Sequence, residues 1–150
     1  MKRKGFYSIE ALIAIVLMSM LSAMAIFIFD NGKIPATTSS MRSDLRNIIN
    51  IINSYKIING TYSGIEGTYE DLNNNGFAEK LIGKRKIPIS KENYIKVNTF
   101  NCLNKNDICY YATVYNDYIL DKQGKVLTYN NDKLGIIKLL TTQEESELNN

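Results

Sequence analysis

The chemistry open to this chain is narrow. It has no His, no Trp and only two Cys, with 18 basic and 15 acidic side chains in 150 residues. Without His there is no Ser-His-Asp or Cys-His arrangement, and two thiols alone do not fill a structural zinc site. No enzyme activity, cofactor or metal is therefore expected. Four groupings remain. Glu10 is a lone carboxylate directly before an uncharged run from Ala11 to Phe29. Cys102 and Cys109 lie close together in sequence. Asp71, Asn73, Asn75 and Gly76 match the first half of a calcium loop, but Ile82 stands where the bidentate Glu belongs, and Glu79 would serve only along a different loop path. Thr68 with Asp71 as a capping box, then a short helix stopping at Asn74-Asn75-Gly76, is the better reading. Lys80, Lys84, Arg85 and Lys86 form a basic cluster with no interleaved aromatics. That cluster reads first as a solvated turn, with DNA phosphates as the alternative contact.

The net charge of +3 has a single source. Setting aside Lys2, Arg3 and Lys4 leaves bases and acids in equal number, so the rest of the chain has no overall field to attract nucleic acid. Behind the triplet, the helix from Ala11 to Phe29 would be about 28 Å long, close to a hydrocarbon core of about 30 Å. It can span a bilayer, with Lys2 to Lys4 held on the cytoplasmic side. Glu10 is the awkward residue, because a carboxylate costs up to about 2.5–3.5 kcal/mol at mid-bilayer. A secretory signal cut near Ala23-Met24-Ala25 would divide the apolar block before Ile26, and a plain anchor would do better without the acid.

The run Lys2-Arg3-Lys4-Gly5, then Phe6, with Glu10 and a long apolar stretch following, resembles the class III signal of type IV pilins and pseudopilins. The resemblance implies cleavage between Gly5 and Phe6 by a membrane prepilin peptidase that also methylates the new N-terminus. It implies that Glu10 pairs with the N-terminal amine of a neighbouring subunit during assembly. It also implies an inner-membrane platform and a cytoplasmic ATPase as partners, with other pilin-like subunits around it. Many members carry Pro or Gly inside the apolar helix; here the first breakers are Gly32 and Pro35. An anchored or exported binding module is the alternative function, and an exported enzyme the third.

The remaining elements must carry a head outside the membrane. Asp30 to Pro35 reads as a break, with Thr37 to Ser40 capping a new helical start. Leu45, Ile48, Ile49, Ile52 and Tyr55 then recur at helical spacing up to Asn59-Gly60. Residues 61–90 read as a connecting loop. Alternation in Tyr94 to Phe100, a Tyr-, Val- and Ile-rich run from Cys109 to Leu120, and Lys125 to Tyr129 predict a three- to four-stranded antiparallel meander. Cys102 and Cys109 bracket its first turn. If that turn lies outside the cytoplasm, a disulfide is expected and contributes about 2–3 kcal/mol in the chain-entropy model; a redox pair or two buried thiols are the alternatives. Tyr110, Tyr111, Tyr115 and Tyr118 are strand formers that also suit a contact surface. Residues 141–150 read as a frayed helix or tail.

The expected fold class is α+β, a long N-terminal helix packed on an antiparallel sheet. The expected divisions are a leader (1–5), a membrane and assembly helix (6–30) and an extracytoplasmic head (31–150). The expected location is the inner membrane before assembly, then a periplasmic or surface filament.

Overall fold

The computed structural model describes residues 4–103, 107–132 and 135–148. The fold is α+β. Helix α1 (Lys4–Asn59) is followed by β1 (Gly67–Glu70), β2 (Asn93–Asn101), β3 (Ile108–Asn116), α2 (Asp117–Gln123), β4 (Lys125–Asn130), β5 (Lys138–Thr141) and α3 (Thr142–Leu148). Two compact units divide the chain, Met1–Ala36 and Thr37–Asn150.

The first unit is helical from Lys4 onward. Its large apolar side chains between Ile9 and Phe29 are all exposed, from 44% at Val16 to 80% at Phe29. The expected break at Asp30 to Pro35 does not occur, and Thr37 to Ser40 cap no new start. Pro35 withholds a single backbone hydrogen bond, whereas a true break would orphan the terminal N–H and C=O groups of two helix ends.

In the second unit the sheet order is β1-β2-β3-β4-β5, antiparallel throughout. One register row runs Tyr69–Ile95–Val114–Leu127–Leu139, and Val97, Ala112 and Tyr129 form the row beside it. Because side chains alternate between faces, both rows share one side of the sheet. That side is covered by the stripe of α1, where Met41, Leu45, Ile48 and Ile52 are fully buried. Ile49 and Tyr55, expected on the stripe, are half-buried at its margins.

Two segments differ from expectation. Thr68 to Asn73 is not a helix: Gly67–Glu70 pairs with β2 as an edge strand and buries Tyr69. Beyond it, the supposed loop folds back on itself. Phe77 opposes Pro88, Ala78 N–H donates to Ile87, and a tight turn joins Ile82 to Arg85. The Tyr-rich run also ends early, because α2 begins at Asp117. Asn116 caps α2 by accepting from the N–H groups of Tyr118 (3.1 Å) and Ile119 (3.3 Å), and Gly124 closes it in the left-handed conformation at φ 59°.

Candidate functional site

The apolar segment of α1 is built to be self-sufficient in a medium without water. Ser19 Oγ donates to the carbonyls of Ile15 (2.8 Å) and Val16 (2.9 Å), and Ser22 Oγ donates to that of Met18 (2.8 Å). Both hydroxyls in the run are thus satisfied within the helix. Among the described residues this is the one helix long and apolar enough to cross a membrane. Gly5, Phe6 and Glu10 all lie in α1, with Glu10 exposed. Helical spacing sets positions 6 and 10 on one face, a turn apart. Lys2 and Arg3 of the basic triplet lie outside the described residues.

Cys102 and Cys109 form a disulfide with Cα atoms 5.1 Å apart. The loop they close is tied to its surroundings at several points. Cys102 N–H donates to the Asp107 carbonyl (3.0 Å), and Leu103 N–H donates to Asp132 Oδ2 (2.9 Å). Asp107 Oδ2 accepts from Lys56 Nζ at 2.7 Å, joining the loop to the last turn of α1. Lys56 Nζ also sits 4.4 Å from the centre of the Tyr62 ring. Hydrogen bonding to the Asp107 carboxylate holds the Lys56 ammonium above its ordinary pKa of 10.5. Cys102, Cys109 and Asp132 come near enough to suggest a metal cluster, but both sulfurs are committed to the disulfide and offer no thiolate.

All four residues of the basic cluster are exposed. Lys80 Nζ donates to the Glu66 carbonyl and lies 5.4 Å from the Tyr69 ring centre. Gly67, at φ 137°, has no Cβ to block that approach. Lys86 Nζ sits 5.6 Å from the centre of the Phe77 ring, while Lys84 and Arg85 are exposed at the tight turn. The Asp71 loop is likewise occupied. Asp71 Oδ1 accepts from Asn75 N–H (3.0 Å) and Oδ2 from Gly76 N–H (2.7 Å). Its carboxylate therefore holds the turn, the arrangement expected of a backbone cap.

A buried polar cluster goes beyond anything the sequence motifs indicated. Asp44, on α1, is 4% exposed. Its Oδ2 accepts from Ser90 N–H (2.9 Å) and Asn93 Nδ2 (2.7 Å), and its Oδ1 accepts from Ser90 Oγ (3.2 Å). Asn93 Oδ1 in turn accepts from Asn116 Nδ2 at 2.7 Å. The chain of bonds thus runs from α1 through β2 to the cap of α2. The available signal was Asp44's position on the apolar stripe beside Leu45. On the opposite side of the sheet, Tyr94 and Tyr115 stack at 5.0 Å, and Tyr115 Oη donates to Glu145 Oε1 on α3 at 3.4 Å. Burial holds the Tyr69, Tyr110 and Tyr115 hydroxyls well above the ordinary phenol range, so they act as neutral donors.

Comparison with protein-family models, curated proteins and solved structures finds no match. The chemistry available is therefore that of the residues themselves: an exposed apolar helix with one acid near its start, and a cross-linked α+β unit after it.

Proposed function

We propose that the chain is a structural subunit of a type IV pilus-like filament, a pilin or pseudopilin, assembled from the inner membrane through its N-terminal helix. The observation that carries the reading is Glu10. It is exposed at the entrance of an uncharged, mainly apolar run and lies one helical turn after the Gly5-Phe6 junction, behind a basic leader. Cleavage at that junction creates a cationic amine at Phe6. An unpaired carboxylate in apolar surroundings is costly and a paired one much less so, so the processed helix gains by leaving lipid for a bundle of its own kind. Before cleavage the amine lies beyond Lys2 to Lys4, away from the acid, and processing thus acts as the assembly switch. The self-bonded Ser19 and Ser22 and the exposed apolar surface suit the same route.

The prepilin peptidase, an assembly platform and further subunits would be the partners; the head would lie outside the cytoplasm. Mass spectrometry of the chain recovered from a filament-producing host tests this. The expected product starts at N-methylated Phe6. A start after Ala25 would favour export of a free module, and an intact Met1 a plain anchor.

A further inference from the structure

We propose that the Cys102–Cys109 disulfide is a maturation latch, whose closure sets Asp107 against Lys56 and fastens the last turn of α1 to the β2–β3 tip. Its timing rests on the export reading above, whereas its geometry does not. Asp107 stands two positions before Cys109, inside the closed loop. Its carbonyl accepts from Cys102 N–H at 3.0 Å, so the two ends of the loop are drawn together by a backbone bond as well as by sulfur. With that frame in place, Oδ1 accepts from Ile108 N–H (2.8 Å) and Oδ2 is left aimed at Lys56 (2.7 Å). The neighbouring Leu103 N–H reaches Asp132 Oδ2 at 2.9 Å, which ties Leu103 to the turn after β4. Opening the loop restores backbone freedom to the segment that holds Asp107, and an ion pair this exposed is too weak to order it alone.

Closure is a thiol–disulfide exchange. Two thiols lose two electrons and two protons, and a disulfide-bearing oxidant accepts both and becomes a dithiol. Cys109 is 6% exposed and Cys102 half-buried, so exchange proceeds through the Cys102 sulfur. A head still in a reducing compartment lacks the Lys56–Asp107 tie, and arrival in an oxidising one completes it.

The test uses the full chain in detergent micelles, oxidised or reduced with a small dithiol. It reads acylation of Lys56 by an activated ester and amide exchange across residues 53–60. Reduction is expected to speed Lys56 labelling about three- to fivefold, the factor that a partly exposed ion pair supplies. Asp107→Asn with the disulfide intact should give the same increase, and reducing that variant should add nothing. Amides in β2, β3 and β4 should keep their protection. Unchanged Lys56 labelling after reduction would overturn the latch, as would additive effects or loss of protection throughout the sheet. Absence of filaments or of cleavage at Gly5 would remove the export reading and leave these readouts where they are.

Discussion

At the scale of single residues, two acids face opposite demands. Glu10 stands exposed on an apolar helix, and under the proposed function its cost in lipid is relieved by the N-terminal amine of another copy. Asp44 is buried, and three donors from Ser90 and Asn93 satisfy it within the head. Replacing Asp44 with Ala would leave the Ser90 N–H without an acceptor and the Asn93 amide with only Ser40 Oγ at 3.3 Å. A loss of about 2–3 kcal/mol is expected in denaturant unfolding of the second unit; a change under 0.5 kcal/mol would mean water replaces the carboxylate. Glu10→Ala should leave that unfolding unchanged. Glu10 and the cysteine pair were legible because their meaning depends on local sequence. Asp44 and the Lys56–Asp107 pair were not, because their partners lie far along the chain and only the folded sheet brings them close.

Among the elements, the 3.6-residue stripe of Leu45, Ile48 and Ile52 was readable in full, since periodicity is written in neighbouring positions. Helix α2 was hidden by the strand propensity of the Tyr- and Val-rich residues before it. Its own signals, Asn116 and Asp117 at the start and Lys122 and Gly124 at the end, are the usual ones. β1 was mistaken for a capped helix because only its pairing with β2 and the burial of Tyr69 distinguish the two. The tail held a readable capping box. Thr141 N–H donates to Glu144 Oε2 (2.8 Å) while Glu144 N–H donates to Thr141 Oγ1 (3.2 Å), starting α3. The Thr141 N–H and the Thr141 hydroxyl (2.9 Å), both donating to Oε2, hold the Glu144 carboxyl below its ordinary value of 4.5. A folded pKa below the unfolded one contributes stability that is present above pH 4.5 and is lost as pH falls through the lowered value. A carbon-detected titration should therefore show Glu144 protonating below pH 4.5, together with exchange broadening of the α3 amides. Protonation at or above that value would contradict the box.

For the molecule as a whole, charge and hydrophobicity are divided along the chain. The basic excess sits in the first four residues, most of the exposed large apolar side chains in the first unit, and the disulfide, the core and the helix caps in the second. Such a division suits a subunit that is held in a bilayer, processed at one end, and then joined to copies of itself. If the chain is cut after Gly5 as proposed, the side-chain cations of Lys2, Arg3 and Lys4 are lost and the terminal amine moves to Phe6, one helical turn from Glu10. The most direct test is the yield of sheared surface filaments from cells making Glu10→Ala, with the membrane fraction assayed beside it. The account predicts a chain that still inserts and is still cut at Gly5, yet fails to polymerise. Normal filaments built from that variant would contradict it.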